Sequence, residues 1–212
     1  MKLYLSSEDI PTPNDLVALL GKPLSETSTA IIPNAQDYYA TRAWDYKAAK
    51  RIDEFADHGL RSTTVDLRGY TDETALKKEL EKYDLIWVRG GNTYCLRYEM
   101  RRSGFDNIIQ GLLEGGTVYG GDSAGAIIAG ASIAGIESAD IPDFAPAIIE
   151  EGLGLVPYVV LPHVGNPLFA EAIDTVRSLR HKPGELIELT DTQAVIFDGD
   201  KYRVVEAANP QV

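Results

Sequence analysis

Apolar and polar positions change their period repeatedly along the chain, and the changes set out an order of elements. Lys2 to Ser6 reads as a short first strand. Ala30-Ile31-Ile32-Pro33 reads as a second, apolar on both faces and expected to be buried on both. From Tyr38 to His58 the residues Ala48, Ile52, Phe55 and Ala56 recur at helical spacing, and Gly59 follows as a C-cap. Thr63 to Leu67 is rich in β-branched residues and reads as a third strand. Asp72 to Tyr83 is a charged helix and Asp84 to Val88 a fourth strand. Thr93 to Ser103 and Asp106 to Leu113 are helices, and Thr117 to Gly120 is a strand running into a small-residue helix.

Strands that alternate with helices in this way pair in parallel through crossover helices, so the pattern predicts a layered α/β domain. The last quarter differs. Val156 to Leu161, Leu186 to Leu189, Ala194 to Phe197 and Tyr202 to Val205 are short strand candidates. The last two flank Asp198-Gly199-Asp200, a turn signal, and predict a C-terminal hairpin. No repeat or linker divides the chain, so residues 1–212 read as one domain.

Composition narrows the function classes. Hydrophobic residues make up 44% and charged residues 25%, a globular balance that excludes a disordered or fibrous chain. No apolar run approaches the roughly 18 residues of a membrane span, and Met1 to Ser7 does not have the form of a secretory signal. The single cysteine, Cys95, excludes an internal disulfide and suits a reducing cytoplasm. A net charge of −12 argues against nucleic acid or an anionic membrane as partner. A homodimer stays open.

Gly121-Asp122-Ser123-Ala124-Gly125 fits G-x-S-x-G between a strand and a helix. A serine on such a turn is held in strained backbone, and the flanking glycines let neighbouring backbone approach without Cβ clashes. Its hydroxyl then lies at a helix N-terminus, where amide N–H groups favour developing negative charge. The same five residues also fit a glycine-rich turn with a serine N-cap. Gly90-Gly91-Asn92 likewise ends a strand and opens a helix, on the same carboxyl edge of a parallel sheet. An amide there could pair with that of Ala124 as an oxyanion hole. Neither G-x-G-x-x-G nor a Walker motif is present, so no nucleotide cofactor is expected.

A serine nucleophile needs a base, and histidine is the usual one. His58 reads as a helix-end residue and His181 as part of a solvated loop. His163 follows the apolar strand ending in Leu161-Pro162, so it lies at a strand's carboxyl end and is the best base. Three scattered histidines and one cysteine show no metal-ligand spacing.

Gly90-Gly91-Asn92-Thr93, Gly121-Asp122-Ser123-Ala124-Gly125-Ala126 and Pro162-His163, in that order, resemble the peptidase E family of serine peptidases. That family holds aspartyl dipeptidases and relatives such as cyanophycinase, on a fold like that of class I glutamine amidotransferases. The resemblance runs from the first strand to the last hairpin. It implies hydrolysis of short peptides, with Ser123 as nucleophile, His163 as base, and the amides of Gly91 and Ala124 as oxyanion hole. The family places an acid shortly after a late strand. Leu189-Thr190-Asp191 fits, so Asp191 is expected to orient His163, with Asp140 the alternative. Read without the resemblance, Asp191 is a turn aspartate.

From Ser103 through Val176 there is no lysine or arginine, but there are ten acidic residues, and both Ser123 and His163 lie inside this stretch. Such a surface attracts a free α-ammonium, which suits an exopeptidase. Arg89 and Asn92 are the nearest candidates in sequence for substrate contact. Arg42, Arg97, Arg177 and His181 are further possible cations. The basic residues that aspartyl dipeptidases carry soon after the histidine are replaced here by Val164-Gly165-Asn166-Pro167-Leu168-Phe169, which weakens the case for an aspartyl substrate. An amidase or esterase on the same site, or an amidotransferase-like binding domain, are the competing readings.

Overall fold

The computed structural model describes residues 1–38, 55–180 and 184–208. The first half runs β1 (Lys2–Ser6), α1 (Pro13–Leu20), β2 (Ser28–Ile32), β3 (Arg61–Thr64), α2 (Glu73–Leu80) and β4 (Leu85–Val88). Next come α3 (Thr93–Ser103), α4 (Phe105–Glu114), β5 (Val118–Asp122) and α5 (Ala124–Ala129). The chain continues with β6 (Val159–Leu161), α6 (Ala170–Ser178), β7 (Leu186–Glu188), β8 (Gln193–Asp198) and β9 (Lys201–Glu206).

The main sheet has the order β3-β2-β4-β5-β1-β8-β9. Its first five strands are parallel, and β8 and β9 form the antiparallel hairpin at one edge. Successive residues of a strand point to opposite faces, and here each face has its own core. Leu3, Leu5, Ile86 and Val88 pack with residues of α2 to α5, while Tyr4, Ile31, Trp87 and Ile196 pack with Leu16 and Leu19 of α1. This is why the central strands read as continuous apolar runs: both sides are covered.

Register decides where the site forms. Leu5 and Val88 both lie beside Gly121, and Ser6 lies beside Asp122. The carboxyl ends of β1, β4 and β5 are therefore level, and the turns that follow them meet at one edge.

Several boundaries move from their sequence-based positions. β3 spans Arg61–Thr64 rather than reaching Leu67, because Asp66 caps a 3-10 turn at Leu67–Gly69. Its carboxylate accepts hydrogen bonds from Arg68 N–H and from Asn34 Nδ2. The stretch from Val156 pairs only over Val159–Leu161, and it pairs with β7 in a separate two-stranded parallel sheet. Helices α1 and α6 answer to no element read from the sequence. Most of the long helix expected from Tyr38 falls on residues 39–54, outside the described residues. Residues 55–57 are helical, and Gly59 follows at φ 81°.

Candidate active site

Ser123 sits between β5 and α5 with φ 49° and ψ −111°, a backbone state that L-residues avoid. The turn is held by close packing that admits no Cβ. A Cβ on Gly121 would lie 2.6 Å from the Gly125 backbone, and one on Gly125 would lie 2.1 Å from the Val88 carbonyl oxygen. Ser123 N–H donates to the Ser6 carbonyl at 3.0 Å, and the Ser123 carbonyl accepts from Ala126 and Ile127. The glycines thus let α5 start directly against β4, and the serine takes up the bend.

His163 follows β6 and also has a positive φ, 64°. Its Nε2 lies 2.9 Å from Ser123 Oγ and its Nδ1 lies 2.7 Å from Asp191 Oδ1. A carboxylate can only accept, so Nδ1 carries the ring proton and Nε2 accepts from the serine hydroxyl. Asn166 Nδ2 donates to the other carboxylate oxygen of Asp191 at 2.8 Å. The Phe169 ring stacks on the imidazole, with centroids 4.2 Å apart. Asp191 rather than Asp140 is hydrogen-bonded to the imidazole.

Ser7, fully buried after β1, joins the two sheets here. Its Oγ donates to the Leu189 carbonyl at 3.1 Å and accepts from His163 N–H at 3.0 Å. Ser7, Asn166 and Phe169 were not singled out from the sequence. Asn166 had a signal, since Asn before Pro starts a turn, and here it caps Pro167–Phe169. Ser7 and Phe169 had none, because their roles depend on contacts between distant segments.

The turn after β4 is stitched down at three of its four amides. Arg89 N–H donates to Ile32 O, Gly90 N–H to Asp122 Oδ2, and Asn92 N–H to Ala35 O. Among the described residues, Gly91 N–H and Ala124 N–H donate no hydrogen bond. Gly91 has φ 147°, and a Cβ there would lie 2.3 Å from Ala35 O, so only glycine fits. Asp122 also accepts from Trp87 Nε1 at 2.6 Å. Its carboxylate therefore ties the elbow to the turn after β4.

Arg89 and Asn92 both line the cleft beside Ser123. The Arg89 side chain is buried, with ion-pair distances of 3.4 Å to Asp122 and 4.0 Å to Asp9. The Asn92 carboxamide caps α3 by accepting from Cys95 N–H, and its Nδ2 donates to Ile141 O. The other candidate cations lie elsewhere or outside the described residues. Arg97 is buried against Asp106 and the Glu151 carbonyl, and Arg177 pairs with Glu188. Arg42 and His181 fall outside the described residues. His58 pairs with Asp9 at 3.2 Å.

The cleft holds about 600 Å³. Glu8, Asp9 and Asp140 add acid to its lining. Asp140 accepts from Thr93 N–H, and burial pushes its carboxyl above the usual carboxylate range, against the opposing pull of that hydrogen bond and of His163. Burial raises the Cys95 thiol to about 11, which makes it a poor nucleophile. Ligand atoms of Glu8, His163 and Asp191 lie within 4.8 Å of one another. Both ring nitrogens of His163 already face Asp191 and Ser123, so a metal there would displace that pairing. No helix among the described residues is long and apolar enough to cross a membrane.

Residues 6–205 match Peptidase family S51. An uncharacterized peptidase of Listeria innocua is 38% identical over 131 residues, 61% of this chain and 62% of that protein. One from Pasteurella multocida is 32% identical over 139 residues, 65% of this chain and 64% of that protein. These matches span a little over three-fifths of each curated relative. Among solved structures, a candidate peptidase E from Listeria monocytogenes superposes with TM-score 0.81 at 24% identity, covering 98% of both chains. A peptidase from an acI-B1 Actinobacterium gives TM-score 0.73 at 16% identity, covering 98% of this chain and 88% of that one. These two likenesses establish the fold, with its mostly parallel sheet and C-terminal hairpin. With its family's match running over nearly all of its length, the chain belongs to peptidase family S51.

Proposed function

We propose that the chain is a serine exopeptidase of dipeptidase type, hydrolysing a short peptide through a covalent acyl-enzyme. The observation that carries this reading is the continuous line from Ser123 Oγ through His163 to Asp191, at 2.9 and 2.7 Å. In this reading Ser123 Oγ attacks the peptide carbonyl carbon while His163 Nε2 takes its proton. Asp191 holds the ring in the required tautomer and stabilises the imidazolium. The carbonyl oxygen, now an anion, takes hydrogen bonds from the unpaired amides of Gly91 and Ala124. His163 then gives its proton to the leaving amine, and the C–N bond breaks. Water enters by the same route and releases the acid.

Arg89 and Asn92 serve the substrate indirectly. Asn92 fixes the Ile141 segment at the cleft, and Arg89 balances the Asp122 and Asp9 carboxylates beneath it. The acidic lining favours a substrate with a free ammonium group. The setting suited to one buried thiol is the reducing cytoplasm.

A panel of dipeptides with free and N-acetylated amino termini tests the proposal, with simple esters alongside. The wild type is expected to cleave the free dipeptides and to lose most of that activity on acetylated ones. Ser123→Ala should lose at least about 10³-fold in kcat with the fold unchanged by circular dichroism. Turnover by Ser123→Ala within about tenfold of wild type, or turnover of esters with no cleavage of any free dipeptide, would overturn it.

A further inference from the structure

Beside the open cleft lies a second, smaller recess of about 30 Å³. The two share Ser123, Ala139, Asp140, His163 and Phe169 in their linings. The rest of the recess is apolar: Ile127 of α5, Ile136, Leu161 of β6 with Pro162, and Ala172 and Ile173 of α6. No lysine or arginine lines it, and its one carboxylate is Asp140. One water needs about 10–15 Å³ of such space, so the recess has room for a side chain of two or three heavy atoms.

We propose that this recess receives the side chain of the residue whose carbonyl is attacked, and that it selects a small apolar residue no larger than valine. The inference rests on the peptidase reading and names its substrate class. The carbon bonded to Ser123 Oγ during attack carries its Cα one bond away, so that Cα must lie close to the recess mouth. A free N-terminal residue bears an ammonium and a side chain on that same carbon. Asp140, lining both spaces, lets the ammonium face acid while the side chain enters the recess. The partition between the two spaces therefore matches the two substituents of one Cα.

The charge pattern excludes the alternative on energetic grounds. An aspartyl side chain would place a carboxylate among isoleucines with no cation and with Asp140 at the rim. Burying an unpaired carboxylate is strongly unfavourable, and like charges at close range add to the penalty. The ring of Phe169, stacked on His163, stands in the segment after the histidine that offers no basic residue. A leucyl side chain fails for another reason, since its four carbons exceed the recess by about one or two methylene-sized groups. A hydrophobic pocket discriminates by about 10–200-fold for each methylene gained or lost.

The test compares Ala-X, Leu-X and Asp-X dipeptides with one common leaving residue. Wild type should favour Ala-X over both others by at least about tenfold in kcat/KM. Ile127→Ala, which widens the recess at a half-buried position, should raise Leu-X relative to Ala-X by about tenfold or more. Ala139→Leu, at an exposed position where the recess meets the cleft, should lower Ala-X more than Gly-X. A preference for Asp-X, or an order unmoved by both variants, overturns the inference while leaving the peptidase reading standing. The boronic acid analogues of alanine and aspartate supply a readout without hydrolysis, since the serine oxygen adds reversibly to boron. Tighter inhibition of fluorophosphonate labelling by the alanine analogue supports the recess even if no dipeptide is cleaved. Tighter inhibition by the aspartate analogue counts against it.

Discussion

At the scale of single residues, the site depends on side chains whose hydrogen-bonding capacity is nearly used up by one another. Asp191 spends one oxygen on His163 and the other on Asn166. His163 has its backbone N–H on Ser7 and both ring nitrogens engaged. An imidazole held this way loses little entropy when it becomes charged. Asp191→Asn keeps the shape but replaces an acceptor with an amide that can donate to Nδ1 and favour the wrong tautomer. Loss of kcat should be on the order of 10²–10⁴, since the equivalent change in the trypsin template costs about 10⁴. KM should move little, because the interaction strengthens when charge develops. Steady-state kinetics on the purified variant checks this. Near-normal kcat would make Asp191 a turn residue. Ser123 and His163 could be named from the sequence because each ends a run of strand-like residues in a recognisable string. Asp191 was reached only through resemblance, since a lone aspartate between short strands has no chemical signature of its own.

Elements place these residues by packing that a sequence pattern reports only in part. The alternation of strands and helices gave the parallel arrangement, and the Asp198-Gly199-Asp200 turn gave the hairpin. The pairing of β6 with β7 outside the main sheet was not legible, because short apolar strands carry no mark of which neighbour they choose. Helix α1 was hidden by its length of eight residues, although Pro13 at its first position is a start signal. The glycines at the elbow were legible as a motif, but their reasons lie in contacts across strands. Gly120, which sits opposite Trp87 in the register, would push a Cβ into the Trp87 ring at 2.2 Å. Gly125 is the more telling position, because its obstacle is the Val88 backbone. Gly125→Ala must shift α5 away from β4, and overpacking of this kind typically costs 1–3 kcal/mol. The denaturation midpoint should fall accordingly, and activity should fall further, since Ser123 moves with the helix. A variant as stable and as active as wild type would show that α5 has slack at its start.

For the whole molecule, Ser123 and His163, the proposed nucleophile and base, belong to different sheets, and the chain brings them together at one edge. Ser123 comes from the main sheet, while His163 and Asp191 come from the ends of the small one and its exit. Ser7 spans the gap from the end of β1. The net charge of −12 is spread over this frame, and the segment from Ser103 to Val176 that carries Ser123 and His163 holds no lysine or arginine, while Arg89 in the cleft lining is buried beside Asp122. All of this supports one central claim, that Ser123 is a nucleophile activated by His163. Reaction with a fluorophosphonate, followed by peptide mapping in a mass spectrometer, addresses it most directly. The account predicts one adduct per chain, on the peptide containing Ser123, absent in Ser123→Ala and slowed at least about 10²-fold in His163→Ala. An adduct on another residue, or labelling of wild type no faster than of His163→Ala, would contradict it.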